Sequence, residues 1–280
     1  MKKSWEYAER TKLMNPIDDE FFRKMAEDVE FCQEILQVIL SDHELTVEEV
    51  IPQNEIKNLQ GRSVVLDALC KMQGGHYCHV EVQKSNDDDH KRRVRYNCSC
   101  ITANISDVGI RFENVPDVYV IYISKSDFLN TGLTICHVDS VIRETKEVVD
   151  DGLYRIFVNA TVKDGSDVSE LMDIFTKSDK YNYDKFPKTS ARKYTFKERK
   201  EGQQEMSDIM REIAEEVEAR GRSEGRQEGK QEGKQEATIK DVDLIRSNLG
   251  LNLQEACKAL GITVEEYERT KNHLVMATQD

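Results

Sequence analysis

Asp67, Glu81 and Gln83 are the residues of this 280-residue chain whose types and spacing read most directly as chemistry. They sit in the stretch Arg62 to Lys84, RSVVLDALCKMQGGHYCHVEVQK. It reads as an apolar strand from Ser63 to Lys71, a tight connection through Gly74-Gly75, and a second strand from Tyr77 to Gln83, which together make a β-hairpin. A carboxylate inside an apolar strand is costly unless its charge is compensated, so two of them on paired strands call for a shared cation. Hard oxygen donors point to Mg²⁺ or Mn²⁺. Side chains alternate along a strand, so Glu81 and Gln83 share one side while Val80 and Val82 take the other.

The elements around the hairpin follow from periodicity and capping. After Asn15-Pro16, Asp18 or Asp19 can cap a helix whose Phe21, Phe22, Met25 and Val29 form an apolar stripe, and Phe31 to Leu40 continues as a second helical segment. Thr46 to Asn58 is strand-like and ends at Gln60-Gly61; its Glu55 reads as an exposed strand carboxylate or an additional acidic ligand. Beyond the hairpin, Ser85 to Asp89 is a polar connector that caps a helix from Asp89 to Ile105. That helix carries Lys91, Arg92, Arg93 and Arg95 in its first half and Cys98, Ile101 and Ile105 in its second. Its basic half is either a solvated face or a phosphate clamp, since guanidinium groups bind phosphate oxygens through paired donors. Val118 to Ser124 is apolar on both faces, as befits a central strand covered by helices. Two further strands are expected at Thr134 to Val141 and Tyr154 to Thr161, and a capped helix at Ser166 to Phe175. The sum is an α/β sandwich with a mixed sheet.

The order Asp67, Glu81, Gln83 resembles the PD-(D/E)xK nuclease superfamily, specifically its transposase-like branch of recombination-promoting nucleases, in which glutamine commonly takes the last motif position. Asp19-Glu-Phe-Phe-Arg23 resembles that group's D-x-x-F-[KR] segment, and Arg93-Val-Arg-Tyr96 its R-x-x-Y helix. The likeness spans roughly residues 14 to 200. It implies a restriction-endonuclease-like core with the catalytic hairpin at mid-sheet and metal-dependent hydrolysis of DNA phosphodiesters in recombination or transposition-associated cleavage. It also implies Asp67 and Glu81 as metal ligands and Asp19 close to the metal. In that setting the Val82 backbone carbonyl is the third ligand, Gln83 holds the attacking water without lending it charge, and Arg93, Arg95 and Tyr96 meet the DNA phosphates. Lys84, one residue on, faces away by strand alternation.

Composition bounds the rest. Hydrophobic residues make up 38% and charged residues 33%, and the net charge is −13, which opposes non-specific nucleic-acid affinity everywhere except at the local cluster His90 to Arg95. No apolar run approaches the ~18 residues that span a bilayer, and the start MKKSWEYAERTK has no hydrophobic signal region, so no membrane partner and a cytoplasmic location are expected. Seven scattered cysteines form no CxxC pair and read as reduced core residues. His76 and His79 flank the hairpin turn, and His79 shares parity with Glu81; this allows a His-containing site or a simply hydrogen-bonded histidine. The chain has no GxxxxGK[ST], GxGxxG, GxSxG or HExxH.

Three regions are expected: the nuclease-like domain at 1–193, a charged helical stalk at 194–237 and a helical module at 238–280. The stalk carries the repeat Arg222-Ser-Glu-Gly, Arg226-Gln-Glu-Gly, Lys230-Gln-Glu-Gly, Lys234-Gln-Glu-Ala, with glycines at 221, 225, 229 and 233 forming a smooth ridge. Each glycine costs about 1 kcal/mol against alanine, so fraying or a hinge is expected there, as a flexible spacer or a surface for homo-oligomers. The module should contain helices at Asp241 to Asn248, Leu253 to Leu260 and Val264 to His273. It has a helix-turn-helix-like core, but its third helix bears three glutamates and favours protein contact over DNA reading. Two functions follow: a metal-dependent endonuclease, or a nuclease-fold protein that acts through assembly.

Overall fold

The computed structural model describes residues 9–57, 63–85 and 89–277. The expected strand end at Gln60-Gly61, most of the connector before Asp89 and the start of the polar lead-in lie outside the described residues, as does the Glu55 side chain.

Two helices open the fold, α1 (Asp19–Ala26) and α2 (Val29–Leu40). The second is capped by Asp28, whose carboxylate accepts from the backbone N–H groups of Glu30 and Phe31. Strands β1 (Val47–Lys57), β2 (Ser63–Met72) and β3 (Tyr77–Gln83) follow as an antiparallel meander, and then α3 (His90–Ile105), capped by Asp89. Strand β4 (Val118–Ser124) lies parallel to β3. After β5 (Ile135–Val138), β6 (Ser140–Val141) and β7 (Val148–Val149), strand β8 (Leu153–Asn159) lies parallel to β4 and pairs antiparallel with β5. The six-stranded sheet thus runs β1-β2-β3-β4-β8-β5, mixed as expected, with β3 and β4 at its centre.

The expected strand from Thr134 to Val141 divides in two. Ile135–Val138 forms the edge of the main sheet, whereas Ser140–Val141 leaves it to pair with Val148–Val149 in a separate two-stranded ribbon. The tight connection of that ribbon, with Lys146 at φ 67°, turns the chain back before it re-enters as β8.

Each sheet face has its own core. One face packs Ala68, Cys70, Cys78, Val80 and Val82 beneath α1, α2 and α4 (Asp167–Thr176), with a cluster of Phe22, Phe31 and Phe175 at its heart. The other buries Leu66, Leu69, Val120, Tyr122 and Phe157 under Val94, Cys98 and Ile101 of α3. Opposite parities of β3 therefore go to opposite layers, and His79, Glu81 and Gln83 share the side away from Val80 and Val82. Six of the seven cysteines are buried, and all are free thiols.

Helix α5 (Pro187–Glu198) completes the first layer in an unusual way. Lys193 is fully buried, and its ammonium donates to the carbonyls of Ile174, Lys177 and Lys180 at 2.9, 2.5 and 3.0 Å, closing the C-terminal end of α4. Lys197 does the same for the carbonyls of Lys12 and Met14, both at 2.7 Å.

Helix α6 (Lys200–Leu249) runs for 50 residues, continuous through all four repeat glycines, and includes the segment expected as a separate helix at Asp241 to Asn248. Ion pairs four residues apart, Glu218 with Arg222 and Glu236 with Lys240, support it by a few tenths of a kcal/mol each, less than a glycine costs. The repeat is thus its weakest stretch. Two compact units are present, Met1–Arg211 and Glu212–Asp280. The first extends past residue 193 because Phe196 and Met206 are buried in its core. In the second, Val242 of α6 packs with Ala256 and Cys257 of α7 (Leu253–Ala259) and Tyr267 of α8 (Val264–Ala277). Gly261, at φ 71°, ends α7, and Thr263 accepts from the Glu266 N–H at the start of α8.

Replacing Lys193 by Met removes the ammonium donor from three carbonyls, of which Lys177 keeps the Lys180 N–H, and should cost roughly 2–4 kcal/mol in urea denaturation of the full chain. A change below about 0.5 kcal/mol contradicts this role for the buried ammonium.

Candidate active site

The hairpin ladder stops at the point where the carboxylates begin. β2 and β3 pair from Lys71↔Tyr77 to Ala68↔Val80. One step further, Val82 should bond across to Leu66, but its N–H instead donates to Asp67 Oδ2 at 3.1 Å. Alternation in β2 breaks at the same place, since Leu66 and Leu69, three apart, enter the same core layer. Asp67 therefore replaces a backbone partner and sits in the opening between the strands. Because the N–H and C=O of a strand residue point toward the same neighbour, the Val82 carbonyl also faces this opening.

Asp67 and Glu81 are 3% and 1% exposed, and Glu81 Oε1 is buried with an ion-pair neighbour but no hydrogen-bond donor. Asp67 Oδ1 accepts from Arg23 Nε of α1 at 2.8 Å. Glu81 Oε1 lies 2.6 Å from Arg93 Nε of α3, and its Oε2 accepts from Asn97 Nδ2 at 2.6 Å and meets His79 Nε2 at 2.9 Å. The other nitrogen of His79 faces the Ala68 carbonyl at 3.1 Å.

These surroundings split the two acids. Burial pushes Asp67 up; Arg23 opposes this, the charge of Glu81 adds to it, and its carboxyl stays above the ordinary range. Burial also pushes Glu81 up, but His79 and then Arg93 outweigh it, so its carboxyl is held below the ordinary range. Asp19, half-buried at the start of α1, is pushed up to about 6 by burial and then by the charge of Asp67, with Arg23 and Arg93 pulling the other way. Asp19, Asp67, Glu81, Arg23 and Arg93 thus form one electrostatic group.

The other residues singled out in the sequence are placed as follows. Gln83, on the Glu81 side of β3 and 7% exposed, donates from Nε2 to Ser85 Oγ at 2.6 Å. Lys84 turns away, as alternation requires, and pairs with Asp18 Oδ1 at 2.6 Å. Of the basic helix only Arg93 reaches the acids. Arg95 is exposed along a groove with Ser99, Thr102 and Arg155, and Tyr96 packs against the α3 layer of the core. A cavity of about 530 Å³ lies at the far end of the hairpin, lined by Met72, Gly74, His76, Tyr119 and Tyr154, and contains none of the acids.

Residues 19–171, more than half of the chain, match the model of the PD-(D/E)XK nuclease family transposases. The chain belongs to that family. No curated protein and no solved structure matches it. The PD-(D/E)XK match begins at Asp19 and takes in Arg23, Asp67, His79, Glu81, Gln83, Arg93 and Asn97, and the six-stranded mixed sheet with flanking helices is the restriction-endonuclease-like fold.

The donor set of this PD-(D/E)XK site fits a hard divalent ion: two buried carboxylates from adjoining strands, with a backbone carbonyl facing the same opening. Among the described residues no three His, Cys, Asp or Glu side chains are arranged around a common metal position, so the fit rests on the two acids and the Val82 carbonyl. Three members of the group were not assigned a role from sequence. Arg23 lies four residues after Asp19, Asn97 four after Arg93, and His79 two before Glu81; each spacing puts the residue on the same face as a named one.

Asp19→Asn tests the electrostatic group. An acid whose folded pKa is raised binds its proton more tightly when folded, so its ionised form costs stability above about pH 6, and this cost fades as the pH falls toward the unfolded value of 3.8. The variant should melt higher than wild type at pH 7.5, with the advantage shrinking between pH 6 and pH 4. A lower melting temperature at both ends of that range contradicts the burial of an ionised Asp19.

Proposed function

We propose that this chain is a divalent-metal-dependent endodeoxyribonuclease of the transposase-associated, recombination-promoting type, cleaving DNA in the cytoplasm. The observation that carries this reading is two buried acids on the paired strands β2 and β3, Asp67 and Glu81, close enough that the charge of one raises the pKa of the other, in a PD-(D/E)XK chain. Mg²⁺ or Mn²⁺ would be held there by both carboxylates and the Val82 carbonyl, supplying charge to a scissile phosphate and a more acidic bound water. His79 and Arg93 favour the ionised form of Glu81, Asn97 fixes its direction, and the Val82 N–H fixes one oxygen of Asp67. Gln83 is neutral, so it orients water through its amide without stabilising hydroxide by charge. Catalysis then leans on the metal more than in relatives with lysine at that position. Arg93 is the phosphate contact closest to the acids, and Arg95 and Tyr96 extend the contact along α3. Free thiols suit a reducing compartment, and among the described residues no helix is long and apolar enough to cross a membrane. Copies associate through the glycine ridge of α6, where a side chain at Gly221, Gly225 or Gly233 would meet nothing within 4 Å in the chain itself.

A second reading, a nuclease-fold assembly protein, is favoured by the net charge of −13 and by acids already paired with arginines of the chain itself. Nicking of supercoiled plasmid with Mg²⁺ or Mn²⁺ separates the two. Wild type should nick, and Asp67→Ala and Glu81→Ala should each be slower by at least about 100-fold. Equal rates for all three select the assembly protein.

A further inference from the structure

The two acids are met from opposite sides of the sheet by arginines of different helices. Arg23 comes from α1, whose Phe21, Phe22 and Met25 lie in one core layer, and Arg93 from α3, whose Val94 and Cys98 lie in the other. The arginine side chains keep 25% and 38% of their surface in solvent, whereas the carboxylates beneath them keep 4% and 2%. Each arginine thus reaches solvent where its acid does not.

Charge balance makes this arrangement more than a pair of salt bridges. Two acids and two arginines are already neutral together. A divalent ion entering that group leaves an excess of two positive charges in a poorly solvated site, which at contact distance is strongly unfavourable. An anion that enters with it reduces that excess, and one phosphodiester, with a single negative charge, halves it. A phosphodiester is such an anion, and the forked guanidinium donors suit its oxygens as well as they suit a carboxylate.

We propose that Arg23 and Arg93 are exchangeable clamps: without DNA each is parked on a metal-ligand carboxylate, and a divalent ion and a DNA phosphate enter together, the ion taking the acids and the phosphate taking the guanidiniums. This inference rests on the metal reading above and deepens it. Metal affinity is therefore weak in the free protein and coupled to DNA, and the coupling is reciprocal. It also reverses the usual expectation for a site mutation, because removing a basic residue improves metal binding while it weakens DNA binding.

The test is Mn²⁺ titration of the full chain without DNA, read by the electron paramagnetic resonance of free Mn²⁺. Arg23→Gln and Arg93→Gln should each bind Mn²⁺ about tenfold more tightly than wild type. Arg93→Lys, which keeps the charge, should stay within about twofold of wild type. In a parallel arm with Ca²⁺ and a short labelled duplex, both Gln variants should lose DNA affinity. Should Arg23→Gln fail to fold, the more exposed Arg93 and its Lys control decide alone. Folded Gln variants that bind Mn²⁺ no more tightly than wild type overturn the exchange and leave the metal site standing. If no variant, and not the wild type, binds millimolar Mn²⁺ even with duplex present, the metal reading itself falls.

Discussion

Two ionised carboxylates in the interior of a sheet are the constraint on which the rest of this structure depends. Neither Asp67 nor Glu81 has usable solvent, so their charges depend on partners that the fold delivers, and Glu81 Oε1 has an arginine beside it without a hydrogen bond. The partners come from five places: Arg23 in α1, the Val82 N–H and His79 in β3, and Arg93 and Asn97 in α3. Both helical layers are therefore tied to the central hairpin by polar contacts as well as by apolar packing. A change in either layer's position would strand a buried charge.

The price of that arrangement is a sheet that gives up part of its ladder. Had β2 and β3 continued to pair, Val82 would have bonded to Leu66 and no opening would exist. Asp67 substitutes for that bond, and the alternation break between Leu66 and Leu69 lets the strand accommodate it. A local loss of regular structure in the middle of a fold is a recurring mark of function, because regularity there has been exchanged for geometry at a site.

Much of this was legible in the sequence, because its signals are local. The hairpin, the shared face of Glu81 and Gln83, the outward turn of Lys84, the covered strand at Val118–Ser124 and the caps at Asp89 and Ser166 all follow from alternation and turn chemistry. What escaped was set by distant partners. Arg23 and Asp67 are 44 residues apart, and no local pattern announces their pairing. Lys193 and Lys197 carry no signal of burial in the sequence, yet they are buried because carbonyls from α4, the chain after it and the residues before α1 converge on their ammonium groups. The basic run at α3 reads as one patch. On a helix its members diverge, so Arg93 turns inward while Arg95 stays in solvent. Propensity likewise expects a break at the repeat glycines, and the helix runs through them.

The central claim is that Asp67 and Glu81 share one divalent ion in the opening between β2 and β3. Crystals of the full chain with a short duplex, grown in Mn²⁺ and measured at an energy where manganese scatters anomalously, test it most directly. The account predicts an anomalous peak about 2.1 Å from oxygens of both carboxylates, with the Val82 carbonyl also turned toward it. A duplex bound with no peak between the two acids, and with Arg23 and Arg93 still seated on them, would contradict it.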